Sequence, residues 1–210
     1  MPETATILAF AAISLGMVMT PGPNMIYLVS RSICQGRRAG VLSLLGVLLG
    51  FVFYMVSAAL GISALLFAVP YAYEALCYGG ALYLLYMAWQ AVRPGGQSPF
   101  QVKELAPDSP KKLFLMGFLT NLLNPKIAVM YLSLLPQFVD PDKGSILTQS
   151  LALGSVQVAI SISINLLIVI LAGSIASFLA TRPTWAVAQR WLMGTVLAGL
   201  AIRMMLTARR

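Results

Sequence analysis

Charged residues divide this chain into long uncharged stretches. Between Glu3 and Arg31 lie 27 uncharged residues, between Arg38 and Glu74 35, and between Glu74 and Arg93 18. Lys112 to Lys126 encloses 13, and Lys143 to Arg182 encloses 38. A membrane-crossing helix needs about 20 predominantly apolar residues. The pattern therefore predicts six hydrophobic segments, at about 5–30, 40–68, 72–92, 113–136, 147–178 and 186–207. The longest stretches also contain helix ends and turns, with Pro70 closing the second segment.

Composition agrees. Of 210 residues 59% are apolar and 10% charged, against about 25% charged in a soluble domain. The mean hydropathy is +0.86. A soluble core of this size cannot hide so much apolar surface, so the solvent is lipid. That excludes a cytosolic enzyme, a nucleic-acid partner and a secreted disulfide scaffold. Met1-Pro2-Glu3 lacks the basic start of a signal peptide, so the first apolar stretch is expected to stay in place.

The net charge of +8 is unevenly placed. Arg31, Arg37, Arg38, Arg93, Lys103, Lys111, Lys112, Arg182 and Arg190 fall on one side if the segments alternate. Lys143, Arg209 and Arg210 fall on the other. The positive-inside rule makes loop 31–38, linker 93–112 and loop 179–190 cytoplasmic and the C-terminus external. The first segment either spans, with the N-terminus outside, or re-enters. Trp89, Trp185 and Trp191 belong at the inner interface, and Tyr71, Tyr73 and Tyr78 at the outer one. The linker, with Pro94, Gly95, Gly96, Pro99, Pro107 and Pro110, reads as a flexible loop between two three-span repeats, 1–92 and 113–210.

Candidate chemistry is narrow. There is no histidine, and Cys34 and Cys77 fall at opposite faces. No catalytic residue, metal site or cofactor is expected.

Two breaks stand in matching places. Thr20-Pro21-Gly22-Pro23-Asn24 interrupts the first segment and Asn121-Leu122-Leu123-Asn124-Pro125-Lys126 the fourth. Proline lacks a backbone donor and clashes with the preceding turn. Each break opens a three-span half, and an odd number of spans inverts the second half. The expected fold is an all-α membrane protein built as a 3+3 inverted-topology repeat, with the site at the interrupted segments. Asn124 is a good N-cap and Pro125 fits a first helical turn; Thr20 or Gly22 can cap a helix starting at Pro21 or Pro23. The exposed N–H groups and positive dipole ends favour an anion such as an α-carboxylate. Lys126 is the one charge deep within a segment, because Arg203 can snorkel. Such a residue costs at least about 2.5 kcal/mol and is a functional candidate. With no deep Asp or Glu, its available partners are a substrate carboxylate or backbone carbonyls. Gly46, Gly50, Tyr54, Ser57 and Gly61 mark one face of the second segment, and Gly154, Gln157, Ser161 and Asn165 one face of the fifth. Small residues at this spacing serve helix packing more often than a pathway. Buried amides such as Gln157 and Asn165 demand partners.

These residues resemble a known family. Thr20-Pro21-Gly22-Pro23-Asn24, Asn124-Pro125-Lys126 and a short six-segment chain look like the LysE/RhtB exporters of the bacterial inner membrane. The resemblance implies efflux of lysine, homoserine, threonine or related amino acids, driven by the membrane potential or a proton gradient. Members that export basic amino acids often carry an acidic residue in the second span, and none lies between Arg38 and Glu74. Neutral substrates are therefore favoured.

The expected activity is secondary transport by alternating access. The substrate-binding residues are Pro21, Gly22, Pro23, Asn24, Asn121, Asn124, Pro125, Lys126, Gln157 and Asn165, and the pathway-lining residues Gly46, Gly50, Tyr54 and Ser161. The coupling ion would be H+, with Lys126 as its carrier. The alternative is a passive channel or a non-transporting scaffold. A second copy of the chain is left open as a partner.

Overall fold

The computed structural model describes residues 2–68, 72–93, 107–180 and 183–207. Tyr71, Gly96, Lys103, Arg182, Arg209 and Arg210 lie outside them, as do the side chains of Tyr73, Cys77 and Arg190. Among the described residues the chain is helical with no strand. The elements are α1 Thr4–Met19, α2 Pro23–Gln35, α3 Arg37–Ala68, α4 Ala72–Val92, α5 Pro110–Leu122, α6 Pro125–Val129, α7 Ile146–Ala180 and α8 Pro183–Thr207.

Both expected breaks are present. α1 and α2 bend by 54° across Thr20–Gly22. α5 and the run beginning at α6 bend by 49° across Leu123–Asn124. Beyond α6 the chain departs from a plain helix. A wide π turn covers Met130–Leu134 and a tight 3-10 turn Leu135–Phe138. Pro136 explains this locally: it cannot donate to the turn before it, so the ladder changes pitch around it.

Polar contacts identify the two ends of the molecule. Glu3 pairs with Lys143 at 3.0 Å, Phe10 meets Phe138 edge-on at 5.2 Å, and Arg203 lies 4.6 Å above the Phe138 ring. The N-terminus, the loop after Phe138 and the end of α8 thus share one end. Arg31 pairs with Asp108 at 2.6 Å at the other. The first segment therefore runs the length of the molecule. α3 and α7 are each long and apolar enough to cross a bilayer alone, and each bent pair qualifies as one further span. Large apolar side chains such as Leu8, Leu49, Phe53, Leu82, Leu123, Leu167 and Leu206 point outward, as a lipid-facing surface requires. Trp89, Trp185 and Trp191 are exposed too.

Packing crosses between the two parts of the sequence. α3 lies along α5 and α7, α4 along α8, and α1 and α2 along α7. The α3–α5 crossing is the tightest. A methyl group on Gly46 would stand 1.9 Å from the Phe114 carbonyl oxygen, and one on Gly117 2.2 Å from that of Ser43. Only glycine permits this backbone approach, the membrane counterpart of small-residue helix packing.

Candidate functional site

The two breaks meet. Lys126, in the first turn of α6, is 4% exposed and reaches across to the C-terminal end of α1. Its ammonium donates to Met17 O at 3.0 Å and Thr20 O at 2.7 Å. These are end carbonyls of a broken helix, where the dipole is negative and a cation is favoured. Among the described residues no carboxylate forms an ion pair with Lys126. Gly22 lies alongside, and a methyl group there would be 3.1 Å from Lys126 Nζ.

The caps differ. Asn124 Oδ1 accepts the Lys126 N–H at 3.1 Å, so the second half-helix is closed by its own side chain. Gly22 caps α2 with no side chain. Pro23 occupies the first position of α2, as Pro125 does of α6, while Pro21 lies in the extended link.

A small cavity of about 20 Å³ sits at this junction. Met17, Val18, Asn24, Met25, Phe51, Lys126, Ile127, Met130, Gln157, Ser161 and Asn165 form its walls. That volume suits about one water. Asn24 contributes the sharpest feature: it is 5% exposed, and neither its Nδ2 nor its Oδ1 has a partner. Asn121 is fully buried with both amide atoms unpaired, and Asn124 Nδ2 is unpaired too. Each unmet group costs roughly 1–3 kcal/mol, so three such amides at two adjoining breaks need a reason.

α7 supplies a satisfied polar ladder opposite. The Tyr131 hydroxyl donates to Gln157 Oε1, Gln157 Nε2 donates to Ser161 Oγ at 2.8 Å, and Asn165 Nδ2 donates to Ser161 O at 2.8 Å. Tyr54 stacks on Tyr131 at 5.8 Å and donates to Leu122 O at 2.9 Å.

The structure thus brings Asn24, Lys126, Gln157, Ser161 and Asn165 to one cavity and sets Gly22 against it. Asn121 faces Gly50 instead, 2.7 Å from where a methyl group there would stand. Gly46 and Gly50 meet α5, Gly154 meets Met55, and Ser57 and Gly61 are exposed. Phe51, Met17, Met25 and Met130 are cavity residues that the sequence reading passed over. Nothing in their apolar runs marks which of them faces inward.

A family model for the LysE type translocator matches residues 15–208. The chain belongs to the LysE type translocator family. It is a multi-pass bacterial membrane protein. An uncharacterized membrane protein of Bacillus subtilis (strain 168), YrhP, is 27% identical over 207 residues, covering 94% of this chain and 97% of that protein. The leucine efflux protein of Enterobacter sp. (strain 638) is 26% identical over 198 residues, covering 90% and 89%. An uncharacterized membrane protein of Pseudomonas aeruginosa is 33% identical over 132 residues, 60% of each chain. No solved structure matches. For this LysE type translocator, the family match extends over both breaks, the end of α1 and all of α2 to α8.

Proposed function

We propose that this LysE type translocator exports small, overall neutral amino acids of the homoserine, threonine or leucine kind by secondary active transport. The substrate carboxylate is held by Lys126 and the uncapped first turn of α2, and the amino group by the Asn24 side chain. Asn121 and Asn124 support the broken ends, while Gln157 and Asn165 line the route. The observation that carries this reading is the Asn24 amide, buried and unpartnered, in one cavity with a lysine that has no carboxylate partner. A zwitterion satisfies both. Among the described residues no acidic side chain lines the cavity to meet a second positive charge, so lysine and arginine are poor substrates.

The cavity is too small for an amino acid, so helices must part to load it. In this reading the two three-span units, 1–92 and 113–210, rock about the breaks and expose the site to each side in turn. Linker 93–112 and loop 31–38 are cytoplasmic, and a proton carried on Lys126 couples transport to the gradient.

The test is uptake of labelled amino acids into inside-out vesicles. Leucine, homoserine and threonine are expected to accumulate above vesicles lacking the protein, lysine not, and an imposed proton gradient should raise the level reached. Equilibration indifferent to any gradient would make the protein a channel, and no uptake of any of them would make it a scaffold.

A further inference from the structure

Three residues spaced four apart on one face of α2 all bond toward the start of α5. The Tyr27 hydroxyl donates to Leu113 O at 2.7 Å and accepts from Ser43 Oγ at 3.1 Å. The Arg31 guanidinium lies 5.4 Å above the Tyr27 ring and pairs with Asp108 Oδ2 at 2.6 Å. Gln35 Nε2 donates to the same oxygen at 3.1 Å, and Gln35 Oε1 accepts the Asp108 N–H at 2.9 Å. Lys112 Nζ holds the other carboxylate oxygen at 2.5 Å. The Asp108 side chain is 8% exposed, although it stands at the end of the molecule.

This seam is unlike its neighbour. α5 is locked to α3 through Gly46 and Gly117 at backbone contact, which cannot open without leaving voids. The α2–α5 seam is a row of polar bonds, each of which water can replace. α2 is also a short rod. Its first turn carries Asn24 and Met25 of the cavity wall, and its far turns carry Arg31 and Gln35. A tilt that frees the far end moves the wall.

We propose that Asp108 is a positioning residue that holds the α2–α5 seam shut, and that breaking its bonds to Arg31 and Gln35 opens the cavity toward loop 31–38. The use of that opening for transport rests on the export reading; the opening itself does not.

The test uses the full chain in membrane vesicles, with Cys34→Ser and Cys77→Ser and a single reporter, Met25→Cys. A membrane-impermeant thiol reagent is supplied on the side of loop 31–38. Asp108→Asn is expected to raise the labelling rate roughly tenfold by shifting the closed population. Asp108→Glu, and the exchanged pair Arg31→Asp with Asp108→Arg, should bring it back toward the parent rate. A reporter at Ala81, buried on α4 away from this seam's residues, should not change. The proposal falls if Asp108→Asn labels at the parent rate, if the exchanged pair labels as fast as Asp108→Asn, or if Ala81→Cys accelerates equally, since that is general loosening. Absent uptake by the unmutated protein would remove the export reading and leave this labelling pattern standing. Unchanged labelling with intact uptake would do the reverse.

Discussion

At the first break the chain leaves α1 at Thr20, crosses Pro21 and Gly22 in extended form and starts α2 with no side-chain cap. At the second it leaves α5 at Leu122, turns once and starts α6 under the Asn124 side chain. Both breaks follow from proline, yet they are chemically unequal. The second is self-sufficient: its first N–H is capped, and its lysine lends charge to the other break. The first is incomplete, because it supplies carbonyls to Lys126 while its own Asn24 amide is unmet. One break thus acts as a donor of charge and the other as a receptor, which a symmetric pair of kinks would not do.

The largest effect should come from removing the charge that joins them. Lys126→Ala is expected to lower uptake by roughly a hundredfold, the size of losing one member of a desolvated charge pair. Protein level in the membrane should stay normal, because the lysine is costly to bury. Lys126→Arg should restore little, since a planar guanidinium cannot take the ammonium's place between Met17 O and Thr20 O. Uptake by Lys126→Ala at the parent rate would make the two breaks mere kinks.

A middle-sized pair of effects should separate the receptor from the cap. Asn24→Leu removes two unmet polar atoms, so its thermal unfolding midpoint should hold or rise while half-saturation shifts to higher substrate concentration. Asn124→Ala removes a cap and should cost about 1 kcal/mol of stability, with a smaller change in half-saturation. If the two variants behave alike in both measurements, the two breaks do not differ in role.

The smallest effect is a pH response that should be missing. Hydrogen bonds from Lys112 and Gln35, together with the Arg31 charge, hold the Asp108 carboxyl below its ordinary value of 3.8. Its lowered pKa means that its contribution is present above the unfolded value and is lost only as pH falls through the lower, folded one. From about pH 5 to pH 8 it stays ionised. The ratio of uptake by Asp108→Asn to uptake by the parent should therefore be flat across that range. A ratio that changes with pH there would place a titrating group at the seam rather than at the breaks.

Much of this was legible in the residues. Pro23 and Pro125 located the breaks, Asn124 was readable as a cap, and Lys126 stood out as the one deep charge. The α3 face was less readable. Gly46 and Gly50 were expected along the pathway, but they seat α5, while Phe51, one residue on, forms cavity wall. A stripe of small residues permits close approach to whatever helix arrives, and does not say whether that neighbour is a helix or a substrate. Pro136 carried a signal for the change of pitch after α6. The Arg31–Asp108 pair, 77 positions apart, carried none.

The sequence by itself determined the solvent, the places where helices stop and the single cation that must find partners below the membrane surface. Those are local matters: transfer of apolar side chains, a missing N–H, a capping amide. Only the tertiary structure decided that Lys126 crosses to α1, that Asn24 goes without a partner while Gln157 and Asn165 are satisfied, and that α5 is fastened to α3 but only tied to α2. Helix rotation and neighbour choice decide these outcomes. They depend on how all the apolar stripes pack at once, which no single stretch of the chain contains.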